Sequence, residues 1–131
     1  MKTITTLRHT LGLCLLLGVS SVYADIALES DKQIVGTWRL EFQKKNQEST
    51  KVTERSDTWV IEGGKLTVKG IVHDGKHTYD SVPANYIVED GLFKVALGRP
   101  GKFDTYALIE HSADGMVLKD KMGVFYHFKK K

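Results

Sequence analysis

The sequence predicts an all-β fold: a small antiparallel up-and-down β-barrel of eight or nine short strands with one short N-terminal helical turn. Three observations carry that expectation. Gly-containing turn pairs recur between short apolar alternations, and the registers they impose collect apolar side chains on one face. The strands run in simple sequential order and are too many for a flat open sheet in a chain of this size. Composition agrees, because 131 residues with 41% hydrophobic, 27% charged and 9% aromatic side chains describe one globular domain rather than a disordered segment.

Residues 1–24 read as a secretory signal peptide. Lys2 and Arg8 precede the apolar run from Leu11 to Val19, and Val22-Tyr23-Ala24 places small residues where signal peptidase needs them before Asp25. The run is about half the roughly 20 residues of a spanning helix, so no transmembrane segment is expected after cleavage. The domain is then 25–131, in a periplasmic or secreted location. Cys14 leaves with the leader, since a lipid-modified cysteine needs small residues directly before it and Leu13 stands there. The exported domain therefore holds its core without disulfides. Lys2 and Arg8 also carry away two of the +3 formal charges, leaving no concentrated basic face, so no nucleic-acid partner is expected. Lys129-Lys130-Lys131 reads as a solvated terminus.

Ser30-Asp31-Lys32-Gln33 has the Ser-x-x-Gln capping pattern and predicts a single helical turn before Ile34. The first strand follows, with Trp38, Leu40 and Phe42 on its inward face. The polar stretch 43–54 reads as a loop that gates one barrel mouth. A two-residue turn at Gly63-Gly64 sets Ile61 opposite Leu66 and Trp59 opposite Val68. One at Asp74-Gly75 sets Val72 opposite His77 and aims His77 and Tyr79 inward. Between Tyr79 and Tyr86 the inward parity changes, and Pro83 removes a ladder donor, so a bulge or turn falls there. Asp90-Gly91 sets Val88 opposite Phe93 and Tyr86 opposite Val95. Asp114-Gly115 gathers Phe103, Ala107, Ile109, Met116 and Leu118 inward and sets Glu110 opposite Lys119. Asp120 to Gly123 forms a three-residue loop with Gly123 at positive φ, after which Leu118, Val124, Tyr126 and Phe128 share a face.

Catalytic and metal chemistry find little support. The predicted Asp74-Gly75 turn puts the imidazoles of His73 and His77 on opposite sides of the sheet, and only a three-residue loop would bring them together. No metal site is therefore expected. Glu62, Glu89, Glu110 and Asp80 fall outward or in turns, and Asp57 is the one inward carboxylate, opposite Gly70. Cys-His catalysis disappears with Cys14, Ser-His-Asp catalysis has no support, and no cofactor is implied. His111 reads as a rim residue beside Leu118, and the cations of the 98–102 loop as neighbours of turn glycines. The chain does not read as an enzyme.

At Gly36-Thr37-Trp38 a short capped turn leads through Gly-x-Trp into the first strand of a secreted meander, which resembles the lipocalins and the compact bacterial lipocalin-like domains. That resemblance implies a structural role for Gly36 and Trp38, with Trp38 closing one barrel end. The family's Thr-Asp-Tyr appears only reordered, as Asp104-Thr105-Tyr106, and Lys129 is the nearest candidate for the C-terminal cation that stacks on the Trp. It also implies a small apolar or amphipathic molecule as ligand. Trp59, His77, Tyr79 and Tyr86 are expected to touch it, backed by Phe93 and Tyr126. The alternative is a solid-barrel envelope protein that binds a protein partner through Tyr106, Leu108, Phe125 and His127, which read as outward.

Overall fold

A type I′ hairpin turn needs positive φ at both central residues, and two of the predicted turns meet that requirement. Gly63 and Gly64 stand at 59° and 76°, Asp90 and Gly91 at 57° and 76°. Both registers follow: Ile61 faces Leu66, Trp59 faces Val68, Val88 faces Phe93 and Tyr86 faces Val95. The computed structural model describes residues 25–131, and the signal peptide expected over 1–24, with Cys14 and the expected cleavage site, lies outside the described residues.

The strands are β1 (Gly36–Lys44), β2 (Thr53–Glu54), β3 (Thr58–Glu62), β4 (Lys65–Lys69), β5 (Ile71–Val72), β6 (Thr78–Tyr79), β7 (Ala84–Glu89), β8 (Leu92–Ala96), β9 (Phe103–His111), β10 (Gly115–Asp120) and β11 (Phe125–Lys130). The order β11-β10-β9-β8-β7-β4-β3-β1 closes through a β11–β1 pairing, giving an eight-stranded antiparallel barrel in which no strand edge is left free by the main ring. β2 adds to the upper end of β1, and β5 and β6 form a separate two-stranded sheet. The narrowest seam is β4–β7, with only Lys65↔Asn85 and Leu66↔Ala84 in register. Ser81 extends it, donating its N–H to Val68 O at 2.7 Å and accepting the Val68 N–H on its hydroxyl at 2.9 Å.

Two β-bulges overturn parts of the expected inward face. In β1 the register shifts between Leu40 and Phe42, so Glu41 is the extra residue. A one-residue slip turns the following side chains over. Phe42 therefore points outward and stacks on His127, with ring centroids 4.3 Å apart. In β9 the shift falls at Ile109, and Met116 faces His111, Val117 faces Glu110 and Leu118 faces Leu108. The expected pairing of Glu110 with Lys119 is not formed. Tyr106 and Leu108, expected outside, are core residues, while Ala107 and Ile109, expected inside, join Val117 in a second cluster on the other face with Leu92 and Phe125. The β9–β10 connection is wider than two residues, closed by Ser112 N–H donating to Gly115 O at 2.9 Å. The Asp120–Gly123 loop is as expected, with Gly123 at φ 86° and its N–H donating to Asp120 O.

One barrel end is sealed by the chain's own N-terminal segment. Ile26 N–H donates to Leu108 O and Leu28 N–H to Gly91 O, which lays Leu28 and Ile34 into the core. Ser30 to Ile34 makes one hydrogen-bonded turn and no helix, with both Ile34 and Val35 donating to Asp31 O. The Ser30 hydroxyl accepts from Lys32 N–H rather than completing a capping box with Gln33. Tyr86 Oη donates to Asp31 Oδ2 at 2.7 Å, and His111 Nε2 donates to Gln33 O at 2.8 Å, so the turn is tied to two strands.

Trp38 closes this floor. Its indole N–H donates to Ile34 O at 2.8 Å, and Lys130 Nζ lies 4.4 Å from its ring centroid. The stacking cation is thus Lys130 and not Lys129, because β11 faces alternate and Lys129 pairs with Arg39. Gly36 is favoured here by its φ of 140°, and a Cβ would in addition displace the flexible end of the Lys130 side chain from the Trp38 ring.

Candidate functional site at the open barrel end

The opposite end is bounded by the β1–β3, β4–β7, β8–β9 and β10–β11 connections. Beneath it runs a continuous aromatic column. Tyr86 meets Phe93 at 5.2 Å between centroids, Phe93 meets Tyr106 at 5.7 Å, and Tyr106 meets both Trp59 and Tyr126 at 5.6 Å. Trp59 also packs on Phe128 at 4.9 Å and on Tyr126 at 5.9 Å. These rings lie edge-on or tilted, the arrangement their quadrupoles favour. The lower part of the barrel is filled: Trp38, Phe93, Ile34, Leu40, Ile61, Leu108 and Leu118 have almost no exposed surface.

Above the rings sits a polar layer. Arg55 and Asp57 alternate with Trp59 along one strand direction, so all three share the inward face. Arg55 donates Nη2–H to Asp57 Oδ2 at 2.7 Å and Nε–H to Oδ1 at 3.0 Å, and its Nη1–H reaches Gln43 Oε1 at 3.1 Å. Asp57 is buried, whereas the Arg55 side chain keeps 31% exposure. On the far side Tyr126 Oη donates to Asp120 Oδ2 at 3.0 Å, while Asp120 Oδ1 accepts the N–H groups of Met122 and Val124. Asp104 faces inward opposite Val95.

One group in this tier stands apart. Among the described residues Trp59 Nε1 is the buried side-chain nitrogen or oxygen with no hydrogen-bond partner. Trp38 makes the contrast plain, since its indole N–H is bonded to a carbonyl. A buried donor left unpaired costs about 1–3 kcal/mol, so its acceptance in the upper tier is a feature to be explained.

The three interior phenols respond alike. Burial is the main cause in each, raising Tyr106 furthest and pushing Tyr86 and Tyr126 up to about 12, with the Asp31 and Asp120 carboxylates adding to the last two. Above pH 10 the unfolded chain's tyrosines ionise while these remain neutral, so the unfolded state binds fewer protons and stability falls as pH rises from about 10 to 12. Denaturant midpoints at pH 8, 10 and 11 check this. The loss should shrink in Tyr86→Phe and in Tyr126→Phe.

Of the residues expected to line a site, Trp59, Tyr86, Phe93 and Tyr126 lie in or against the core. Tyr86 is committed to the closed end through Asp31, and Phe93 is fully enclosed. His77 and Tyr79 do not face the interior. They sit on the β5–β6 hairpin, where Tyr79 is 51% exposed. The reason is that β5 and β6 pair only with each other, outside the main ring, and within that hairpin Asp74 Oδ1 accepts the N–H groups of Lys76 and His77, making a three-residue turn that shifts the register by one. His73 then faces His77, with its N–H donating to His77 O at 2.8 Å.

Sequence reasoning missed Arg55, Tyr106 and Lys130. The Arg-x-Asp-x-Trp alternation at Arg55, Asp57 and Trp59 was the available signal for the first. Tyr106 was lost to the β9 bulge, which no local residue announces. On the outside, a groove of about 590 Å³ runs along Glu41, Phe42, Glu110, His111, Val117 and His127. Burial and the nearby Lys44 charge hold His127 below the ordinary histidine range.

No family model matches the chain, and no curated protein matches it. Solved structures do. A lipocalin-like protein from Bacteroides uniformis is 15% identical with a TM-score of 0.56, covering 76% of this chain and 99% of its own. An uncharacterized protein from Bacteroides eggerthii is 15% identical with a TM-score of 0.58, covering 74% of this chain and 98% of its own. The fold is lipocalin-like.

Proposed function

We propose that this chain is an exported binding protein that reversibly holds a small apolar or amphipathic molecule at the open end of its barrel. The single observation that carries the reading is the Trp59 indole N–H, buried and without an acceptor in the tier where Trp59, Tyr106 and Tyr126 converge. A ligand oxygen placed there would satisfy the donor, while the ring faces take its apolar part. Because the lower barrel is already filled, the site is shallow. The 43–54 segment with β2 and the β5–β6 hairpin would flank its entrance.

A second reading keeps a specific observation of its own. An outer groove of about 590 Å³ runs beside Phe42 and His127, where a protein partner would dock, while Ala107, Ile109 and Val117 are themselves buried beneath the outer face. Phe125 and His127 are the outer residues that remain for it.

Two tryptophans in the described chain make an internal control. Titrating 15N-labelled protein with an amphipathic naphthalene sulfonate should move the Trp59 indole resonance saturably at one-to-one stoichiometry, leaving that of Trp38, already bonded to Ile34 O, in place. Trp59→Phe should weaken binding about fivefold to tenfold, the worth of one neutral hydrogen bond. A Trp59 resonance that stays fixed through the titration would overturn the reading.

A further inference from the structure

We propose that the β5–β6 hairpin is a clamp for a divalent transition-metal ion, with His73 and His77 as its ligands and Asp74 as the carboxylate that positions His77. The register supplies the pair. Ile71 faces Tyr79 and Val72 faces Thr78, and the His73 N–H to His77 O bond continues the ladder, so the two histidines stand directly opposite on one face. Opposed residues have Cβ atoms about 4.5–5.5 Å apart, within which two imidazoles can converge on an ion at about 2.0–2.1 Å from each nitrogen.

Both rings are oriented. Asp74 accepts from His77 Nδ1 at 3.0 and 3.1 Å to its two oxygens, which puts the ring proton on Nδ1 and leaves the Nε2 lone pair free. That is the carboxylate–histidine arrangement by which metal-bound imidazoles are held. Asp74 is itself fixed by the N–H groups of Lys76 and His77, and the His73 ring lies edge-on to Tyr79 at 6.0 Å. The His77 side chain is 76% exposed, so the free nitrogen is open to solvent.

The donor set defines the ion. Two imidazoles favour Cu(II), Ni(II) and Zn(II) over Mg(II) and Ca(II), with Cu(II) bound most tightly. Among the described residues no group of three or more histidine, cysteine or carboxylate side chains is placed to hold a metal. The clamp is therefore an open two-ligand site whose other positions are filled by water or by a donor from an incoming molecule, not a closed structural centre. It is independent of the small-molecule site inside the barrel.

The test uses residues 25–131, which make the whole closed barrel, with CuCl2 as the probe. Substoichiometric Cu(II) should broaden the imidazole resonances of His73 and His77 before those of His111 and His127, and calorimetry should give one-to-one binding of ZnCl2 and NiCl2. His73→Asn and His77→Asn should each weaken binding at least tenfold. Asp74→Asn should weaken it about tenfold while leaving both ligands present, the mark of a positioning residue. All three lie on an exposed hairpin, so an unchanged melting temperature of the metal-free variants separates lost ligation from lost fold. Equal metal binding in His73→Asn and His77→Asn, or first broadening at His111 or His127, would overturn the proposal.

Discussion

Trp38→Ala lowers the stability of the fold by about 3–5 kcal/mol, the cost of truncating a large aromatic in a packed core. Trp38 is 1% exposed and meets three of the groups that close the barrel floor. Its indole N–H holds Ile34 O, its face takes Lys130, and its edge meets His111 at 6.5 Å. Domains of this size have roughly 5–15 kcal/mol in total, so the loss removes a large fraction of the stability. Its melting temperature should fall by of the order of 15–25 °C. Lys130→Met, which keeps an apolar stem over the ring and removes only the charge, should cost no more than about 1 kcal/mol. A Trp38→Ala shift of under about 5 °C would mean that the floor is not a keystone of the barrel.

Arg55→Ala costs about 3–5 kcal/mol, more than Asp57→Ala at about 2 kcal/mol, and the asymmetry is the informative part. Removing the guanidinium strands a carboxylate that is almost wholly buried, whereas removing the carboxylate leaves a guanidinium that retains 31% exposure and can turn to water. Replacing both by leucine should recover most of the loss, since a packed apolar pair avoids desolvating two charges. Urea midpoints of the four proteins measure this. Equal costs for the two single variants would show that the pair behaves as a surface ion pair.

Much of the architecture was legible because turn chemistry is local. Gly63-Gly64 and Asp90-Gly91 each announce a two-residue hairpin, and once the turn is known every cross-strand partner follows, down to Trp59 against Val68. Bulges are not local in that sense. Glu41 and Ile109 are ordinary strand residues, and their extra place is set by how β11 and β10 close the ring, so Phe42 and Tyr106 exchanged faces relative to expectation. Asp74 misled for another reason. Its carboxylate caps two backbone N–H groups and stabilises a longer turn than Asp-Gly usually makes, which set His73 against His77, while the separation of β5 and β6 from the main ring took His77 and Tyr79 out of the predicted pocket wall.

The site was legible only in part. The inward aromatics Trp59, Phe93 and Tyr126 follow from alternation, and the Gly36-x-Trp38 floor follows from the resemblance. The unpartnered state of the Trp59 N–H does not follow from any pattern, because it depends on which carbonyls and carboxylates the closed ring brings near. Asp57 already has Arg55, and Asp120 already has Tyr126 and two backbone donors, so neither is left over for the indole.

The central claim, reversible retention of a small molecule, is tested most directly by native mass spectrometry of the protein purified from its source without detergent, compared with the same sample denatured. The native chain should carry a discrete small-molecule mass that is lost on denaturation, and Trp59→Phe prepared in the same way should carry less of it. A native spectrum of the bare chain, or of a stoichiometric protein adduct with no small-molecule mass, would overturn that reading and move the function to the outer groove beside Phe42 and His127.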